Sequence, residues 1–198
     1  MKHIKGKKSG FIFIVSGPSG SGKTTLAAEV LRARELKGRV FKSVSFTTRP
    51  IRSREKDGKD YFFVSKKDFR ELLKAKKILE WTKYLGYYYA TPRDFVEGQL
   101  KKNRHLILCL DLKGSRKIKR LYPGNTVTIF VMPPSLGVLK NRIKNRCKHT
   151  TAEDVHKRLK MARRELLAAE RYDYCLLNQD LKQGVKELKG IILSRIAT

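Results

Sequence analysis

The feature that most constrains the fold is FIFIVSGPSGSGKTT, residues 11–25, where an apolar run meets a glycine-rich loop that fits G-x-x-x-x-G-K-[ST]. A buried strand before the loop and an Ala/Leu-rich helix after it are the context that this pattern requires. Its glycines let backbone N–H groups wrap around an oxyanion, and the helix N-terminus adds favourable potential. The alternative is a strand–helix turn without a ligand. The residues predicted to contact a nucleoside triphosphate are Gly17, Pro18, Ser19, Gly20, Ser21, Gly22, Lys23, Thr24 and Thr25.

The rest of the chain alternates apolar runs with amphipathic stretches. HLILCLDL and TVTIFVM are typical of buried strands in a parallel sheet, and DYCLLN is a shorter strand. Helices are predicted over 23–36, 65–77, 93–103, 135–146 and 151–170, with a last helix closing the chain. Ser65 and Asp68 form a predicted capping box. This alternation predicts an α/β fold of the P-loop type, with helices flanking a parallel sheet. Residues 43–92 break the alternation and predict a small β-rich insertion.

Charge is the second extreme feature, because 46 Lys and Arg face 18 Asp and Glu, for a formal net charge of +28. Such a surface attracts nucleic acids, phosphometabolites and acidic lipid headgroups without choosing among them. Two interpretations of this charge stay open. It reflects a basic composition common to the proteins of the host, or it serves a polyanionic partner such as nonspecifically bound nucleic acid.

Cysteine usage and hydropathy bear on the compartment. Cys109, Cys147 and Cys175 are widely spaced and show no metal-ligand pattern, which favours free thiols in a reducing compartment. The apolar runs are too short to span a membrane. Residues 1–10 are charged, but too few apolar residues follow for a signal peptide. We therefore expect a basic N-terminal arm on a cytoplasmic protein without a membrane segment.

The stretch SVSFTTRPIRSREKDGKDYFFV, residues 43–64, combines three closely spaced arginines with a glutamate and a tyrosine. It fits a solvated basic loop, a nucleic-acid patch or a socket for one phosphate group. It resembles the guanylate kinase pattern S-V-S-x-T-T-R-x-x-R-x-x-E-x-x-G-x-D-Y. EWTKYLGYYYATP, FVMPPSLGVLKNRIKNR and KRLKMARRELLAAERYDYCLLNQDL resemble later segments of that family in the correct order. The resemblance runs from about Phe11 onward.

The resemblance implies a GMP site, and the residue chemistry agrees with it. Two arginine forks, Arg49 and Arg52, suit a dianionic phosphate. A carboxylate at Glu80 suits guanine, which presents N1–H and a 2-amino group as adjacent donors. The implied GMP-binding residues are Ser45, Arg49, Arg52, Glu55, Tyr61, Glu80, Tyr89, Thr91 and Asp111.

The resemblance also implies a catalytic set and a metal site. Arg142 and Arg146 lie four residues apart, so on a helix they share one face, which taken alone suits a solvated surface equally well. The implied catalytic residues are Lys23, Arg142, Arg146 and Arg158. Thr24 and Asp111 would bind Mg²⁺. Asn178 would contact the adenine of ATP, or else cap the helix that follows it.

The implied activity is Mg²⁺-dependent transfer of the ATP γ-phosphate to GMP or dGMP, giving ADP and GDP. The chain would then comprise the arm, 1–10, and one domain, 11–198. That domain would have a core (11–42, 93–132 and 172–198), a GMP-binding insertion (43–92) and a helical lid (133–171). Alternatives are a kinase for another phosphorylated acceptor such as a ribose bisphosphate, a non-catalytic guanylate kinase-like module, and a nucleic-acid-binding protein. The sequence does not indicate the oligomeric state.

Four departures from the family pattern bear on rate and lid geometry. Cys109 replaces the first aspartate of an Asp-x-Asp pair, and Phe46 replaces a polar residue within the S-x-T-T-R motif. Tyr87 and Ala90 replace an asparagine and a glycine around Tyr89, and the lid segment is one residue longer between its arginines. None of these departures removes the loop lysine, a phosphate-binding arginine or Glu80.

Overall fold

The computed structural model describes residues 10–53, 55–145 and 151–197. The strands are β1 (Ile12–Ser16), β2 (Val40–Lys42), β3 (Phe46–Thr47), β4 (Phe62–Phe63), β5 (Ile78–Tyr84), β6 (Tyr87–Pro92), β7 (His105–Cys109), β8 (Thr126–Met132) and β9 (Tyr174–Leu177). The helices are α1 (Lys23–Val30), α2 (Lys66–Lys74), α3 (Arg93–Lys101), α4 (Leu112–Leu121), α5 (Leu136–Lys144), α6 (Ala152–Leu166) and α7 (Leu181–Ile196). Two 3₁₀ turns, Arg34–Leu36 and Ala169–Arg171, complete the regular elements of the described ranges.

The core is a five-stranded parallel sheet in the order β2-β7-β1-β8-β9. The central strand β1 is buried along its whole length, and its side chains alternate between two apolar clusters. Phe13 and Val15 pack with residues of α1 and α7 on one face. Ile12 and Ile14 pack with residues of α3 and α4 on the other. The predicted α/β fold, a parallel sheet flanked by helices, is confirmed.

A second, four-stranded sheet lies within residues 46–92 in the order β4-β3-β6-β5. Helix α2 covers it through the fully buried Phe69, and the predicted capping box of Ser65 and Asp68 is present at the start of this helix. Leu85 and Gly86 both have positive φ, 48° and 84°, as a two-residue hairpin turn of this twist requires. This turn joins the end of β5 to the start of β6.

The core sheet places several loops at one edge. The loop after β1, Asp111 after β7 and Asn178 after β9 all follow carboxyl ends of parallel strands, where open α/β sheets bind ligands. Helices α5 and α6 pack on each other through a small apolar cluster that includes Leu139 and Val155. The described part of the chain contains no helix long and apolar enough to cross a bilayer.

The structure corrects one predicted helix and adds two elements. The helix expected over 23–36 ends at Val30, because Ala33 is extended (φ −62°, ψ 132°) and the next turn buries Leu36 completely. Strand β2 and helix α4 were not predicted. Residues 1–9 of the predicted arm, and Arg146 of the predicted catalytic set, lie outside the described residues.

Candidate nucleotide-binding site

A cavity of about 770 Å³ lies where the glycine-rich loop, the second sheet and the helices α5 and α6 meet. Its volume lies within the range usual for small-molecule sites. Seventeen of the residues predicted to contact nucleotides or catalyse the reaction line it: Gly17, Ser19, Gly20, Gly22, Lys23, Thr24, Thr25, Ser45, Arg49, Arg52, Tyr61, Glu80, Tyr89, Asp111, Arg142, Arg158 and Asn178.

The glycine-rich loop has the backbone shape that its sequence predicts. Gly17, Gly20 and Gly22 have φ of 137°, 91° and 97°, a region that side chains other than glycine rarely adopt. The Lys23 Nζ donates to the carbonyls of Gly17 at 2.7 Å and Pro18 at 3.0 Å, so the lysine spans the loop. These two hydrogen bonds hold its ammonium group against the loop, where the residue lines the cavity.

Asn178, which follows β9, supports this loop from two strands away in the sheet. Its Nδ2 donates to the carbonyl of Ser21 at 2.7 Å, and the residue is 5% exposed. A Cβ at Gly22 would lie 2.2 Å from that nitrogen, so only glycine allows this approach. The alternative role as a helix cap is wrong, because the side chain of Asp180 caps α7. The contact of Asn178 with adenine stays a prediction.

Arg49 is held in place by a carboxylate. Its guanidinium donates to both oxygens of Glu55, at 2.9 and 2.8 Å, and to the carbonyl of Pro50 at 2.7 Å. Burial favours the uncharged forms of both groups, but their hydrogen bonds outweigh it, so the pKa of Arg49 is raised and that of Glu55 is lowered. Glu55 does not line the cavity; it orients Arg49, and it also contacts Arg52, through the backbone N–H at 3.0 Å and through Nη1 at 3.6 Å.

Two tyrosines complete this side of the cavity. The rings of Tyr61 and Tyr89 meet edge to face at 5.9 Å, and the Arg49 guanidinium lies 5.4 Å from the Tyr61 ring centre. Arg52 and Ser45 line the cavity beside them and are only partly exposed. The second sheet thus presents two guanidinium and two phenol groups to one volume, a set that suits a phosphate dianion.

Glu80 is a nearly buried carboxylate, 6% exposed, on the cavity wall formed by β5. The Thr91 hydroxyl donates to its Oε1 at 2.5 Å, and Thr91 itself does not line the cavity. Burial raises the pKa of Glu80 to about 7; the Thr91 hydrogen bond opposes this rise, and the charge of Asp111 adds to it. When Glu80 is ionised, its buried carboxylate therefore requires more hydrogen-bond donors than Thr91 supplies.

Arg142 of α5 and Arg158 of α6 each have a nitrogen without a partner among the described residues. Arg142 Nη1 and Arg158 Nε are buried and have no hydrogen-bond partner among the described residues. Their other contacts are weak: Arg142 Nη2 lies 3.4 Å from the Asn178 carbonyl, and Arg158 Nη1 lies 3.3 Å from Ser19 Oγ. Buried donors of this kind suit an anionic ligand across from the loop.

At the end of β7, Asp111 faces the cavity while capping α4, because its Oδ1 accepts from the Gly114 N–H at 2.8 Å. The thiol of Cys109 lies 3.9 Å from the Lys23 carbonyl, and burial raises its pKa. No cluster of three or more His, Cys, Asp or Glu suited to a metal occurs in the described ranges.

Tyr84 and Glu165 are two of the lining residues that were not predicted from the sequence. Tyr84 lies on the same face of β5 as Glu80 and Thr82, so the period of two along a strand was the available signal. Glu165 lies seven residues after Arg158 on α6, two helical turns along the same face. Burial raises the pKa of Glu165 to about 7; Lys23 opposes this rise and Asp111 adds to it.

Of the other predicted residues, Pro18, Ser21, Glu55 and Thr91 do not line the cavity. Pro18 and Ser21 contribute loop carbonyls to Lys23 and Asn178, whereas Glu55 and Thr91 hold Arg49 and Glu80. These four residues support groups that do face the cavity.

Comparison with known proteins gives a consistent result. The family model described as guanylate kinase matches residues 10–195. The guanylate kinase of Clostridioides difficile is 40% identical over 187 residues, covering 94% of this chain and 89% of that protein. The guanylate kinase of Thermotoga maritima is 40% identical over 188 residues, covering 95% and 88%.

A solved structure agrees with these relatives. The crystal structure of guanylate kinase from Anaplasma phagocytophilum superposes with a TM-score of 0.79 at 31% identity, covering 96% of this chain and 87% of that one. The matches extend over the loop, the second sheet and the lid helices that together surround the cavity. The chain belongs to the guanylate kinase family.

Proposed function

We propose that this chain transfers the γ-phosphate of ATP to GMP or dGMP in an Mg²⁺-dependent reaction that yields ADP and GDP. The observation that carries the proposal is the pair of buried nitrogens on Arg142 and Arg158 that have no hydrogen-bond partner within the described part of the chain. They line the same cavity as Lys23 and Arg49. Arg52 lines it as well, and five cationic groups converging on one volume are what two phosphorylated substrates require.

On the donor side, the loop N–H groups and Lys23 bind the β- and γ-phosphates. Thr24 and Asp111 both line the cavity and offer the oxygen ligands that Mg²⁺ prefers. The lack of an all-protein metal cluster among the described residues fits Mg²⁺, which usually takes one or two protein oxygens together with substrate phosphates. When bound, Mg²⁺ neutralises charge on the transferring phosphates.

On the acceptor side, Arg49, Arg52, Tyr61 and Tyr89 bind the GMP phosphate. Glu55 occupies two N–H groups of Arg49 and fixes its plane, so phosphate oxygens accept from the remaining donors. Ionised Glu80 accepts from guanine N1–H and the 2-amino group, which meets its demand for donors.

The reaction needs alignment and charge stabilisation more than proton transfer, because the acceptor is already a phosphate oxygen. Arg142 and Arg158 supply N–H donors to the transferring group from the lid side. Family resemblance adds Arg146 to them. The lid, the loop and the second sheet together exclude water from the phosphates.

The alternatives lack a comparable observation. A ribose bisphosphate has no N1–H and amino pair to satisfy the buried carboxylate of Glu80. A non-catalytic module would not require Lys23 held across an intact phosphate loop. The geometry therefore favours a GMP kinase over both.

A coupled ADP-release assay tests this proposal. GMP, dGMP, AMP, UMP, CMP and a ribose phosphate are each offered with ATP, with and without Mg²⁺. We expect turnover with GMP and dGMP only, and only with Mg²⁺. A preference for AMP or the ribose phosphate would overturn the proposal.

Arg52→Ala tests the phosphate site in the same assay. Losing a charge-assisted hydrogen bond should raise the KM for GMP about 10- to 100-fold and leave the KM for ATP unchanged. Arg70→Ala is the matched control, because Arg70 is an exposed arginine of the same insertion outside the cavity. An unchanged KM for GMP in Arg52→Ala would remove Arg52 from the site.

A further inference from the structure

Helix α4 carries the densest positive charge of the described helices. Its sequence LKGSRKIKRL has five basic residues and no acidic residue in ten positions. By contrast, α7 has four basic residues and one acidic residue in sixteen, and α6 has five and three in fifteen. None of the five basic residues of α4 lines the nucleotide cavity. This charge is therefore not explained by the proposed kinase site.

The basic residues of α4 form an ordered surface. Lys113, Arg116, Lys117 and Arg120 have the spacing i, i+3, i+4 and i+7, which places them on one helix face, and all four are exposed. At 1.5 Å per residue they extend over about 10 Å along the axis. We call these four residues, together with the exposed Arg171, the α4 basic surface.

A groove of about 340 Å³ joins Arg171 to this face of the helix. Arg116 and Arg120 line the groove from α4, and Arg171 lines it from the 3₁₀ turn before β9. The groove shares no lining residue with the nucleotide cavity. Among the described residues, these three guanidinium groups make no ion pair and no hydrogen bond.

The one carboxylate in the groove is already compensated. Asp173 Oδ2 lies 2.9 Å from Lys119 Nζ and also accepts from the N–H and hydroxyl of Thr128, at 2.8 and 2.9 Å. Lys119 thus neutralises Asp173. The field of Arg116, Arg120 and Arg171 remains uncancelled within the groove.

We propose that the α4 basic surface binds the phosphodiester backbone of double-stranded nucleic acid without base-sequence preference. An isolated anion in the groove would leave Lys113 and Lys117 unused, because neither lines it. A chain of phosphates engages the groove and the stripe together. This function goes beyond the proposed kinase activity and uses a different face of the chain.

The residues that line the groove favour contact with the nucleic-acid backbone over stacking of its bases. The aromatic residue of the groove, Tyr172, packs edge to face on Phe130 at 5.1 Å and donates its hydroxyl to Ser16 at 2.9 Å. Its ring is therefore engaged within the protein, whereas proteins that bind single-stranded nucleic acid stack bases on exposed aromatic rings. A duplex carries one negative charge per about 1.7 Å of its axis, against about 3.4 Å for one strand, so clustered cations bind the duplex more tightly than a single strand.

The test measures binding of a labelled mixed-sequence duplex by fluorescence anisotropy between 0.05 and 0.3 M NaCl, about the range over which such contacts are lost. The variant changes Arg116, Lys117, Arg120 and Arg171 to Gln. The matched control changes the exposed Lys66, Lys67, Arg70 and Lys74 of α2 to Gln, removing the same charge.

We expect the α4-surface variant to bind about 100-fold more weakly at 0.1 M salt, with the slope of log K against log[salt] reduced by about 3 to 4. The α2 control should lose only a few-fold in affinity. Arg116, Arg120 and Arg171 changed together to Lys should retain binding, because charge and not fork geometry carries a backbone contact. GMP turnover should stay at the wild-type level in all three proteins.

Several results would overturn the proposal. Equal losses in both quadruple variants would mean diffuse attraction by the whole surface. Loss of binding only on changing Lys2, Lys5, Lys7 and Lys8 to Gln would place the contact in the N-terminal arm. Binding of inorganic polyphosphate or phosphatidylserine vesicles, but not of the duplex, would mean another polyanion.

Discussion

At the scale of single residues, Glu80 couples protonation to both stability and recognition. Its pKa in the folded chain is about 7, against 4.5 for an ordinary glutamate, because the carboxylate is buried. A raised pKa of an acid means that its contribution to stability is complete below pH 4.5 and is lost as pH rises through about 7. The ligand-free protein therefore carries an ionised Glu80 at a cost above that pH.

We predict that Glu80→Gln removes this cost, because the amide keeps the shape and accepts from Thr91 without a charge. The variant should gain on the order of 3 kcal/mol in unfolding free energy relative to wild type between pH 5 and pH 8. Urea unfolding of both ligand-free proteins at the two pH values measures this. Glu165, whose pKa is raised in the same direction, is common to both proteins and cancels. Parallel pH dependence in the two proteins would contradict the prediction.

The same substitution should relax the choice of base. Adenine presents an unprotonated N1 and no 2-amino group, so it leaves an ionised Glu80 unpaired, a mismatch that can discriminate by about 10⁴–10⁵-fold. The amide of Gln can donate to adenine N1. We expect Glu80→Gln to lower kcat/KM for GMP and narrow its ratio to that for AMP. A ratio equal to wild type would mean that another residue reads the base.

Residue by residue, the sequence predicted which side chains gather but not what each one touches. The family motifs assigned Arg49, Arg52 and Glu80 to one site, and the structure has all three lining one cavity. The order and spacing of such motifs reflect the backbone topology that brings their residues together. The resemblance implied a contact of Glu55 with GMP, which stays a prediction, but it did not indicate that Glu55 binds both terminal nitrogens of Arg49. Partner choice depends on packing, which no local pattern encodes.

At the scale of elements, α4 links the two halves of the site. Its first turn approaches β5 so closely that a Cβ at Gly114 would lie 2.8 Å from Glu80 Oε2. The cap that starts the helix is Asp111, and Glu80 is the predicted base reader. The start of α4 thus positions both Asp111, the proposed Mg²⁺ ligand, and Glu80, the proposed reader of the base.

Gly114→Ala should therefore act on GMP and not on ATP. The added methyl must displace the Glu80 carboxylate, so we expect the KM for GMP to rise about 10-fold while the KM for ATP stays unchanged. Gly98→Ala in α3 is the control, because a Cβ there meets nothing within 4 Å. It should stabilise the protein by up to about 1 kcal/mol without changing either KM. An unaltered KM for GMP in Gly114→Ala would show that Glu80 is free to move.

Helix α4 also shows where prediction from the sequence stops. Strands β1, β7 and β8 are recognisable because they are buried on both faces and read as apolar runs. Helix α4 buries only a narrow stripe around Ser115 and Ile118, and its remaining positions are mostly basic, so it resembles a solvated loop in sequence. Conversely, α1 stops six residues early, because burial of Leu36 outweighs helix propensity.

At the scale of the whole molecule, three parts surround one cavity. Tyr84 of the second sheet, Ser19 of the loop and Arg158 of α6 all line it, and Arg158 Nη1 lies 3.3 Å from Ser19 Oγ. Contacts among parts distant in sequence make the site dependent on the arrangement of the entire fold. The charge of +28 acts at this same scale, since most of it lies outside the cavity.

Because of that charge, added salt should raise the stability of the folded protein, whereas it should weaken the proposed binding of nucleic acid. The ion pairs of the described residues mostly involve exposed side chains and contribute little, so repulsion among 46 cations against 18 anions remains. The screening length falls from about 30 Å at 0.01 M to about 10 Å at 0.1 M salt, so added NaCl relieves the repulsion.

We therefore expect the Tm of the nucleotide-free protein to rise by several degrees between about 0.01 and 0.3 M NaCl, since each 1 kcal/mol gained adds about 2–4 °C at this size. Phosphate and nucleotides are omitted, because anions bound to the folded state stabilise it by mass action. The α2 quadruple variant, with four cations fewer, should show a shallower rise. A Tm that stays flat or falls with salt would mean that the cations are spaced widely enough for water alone to screen them.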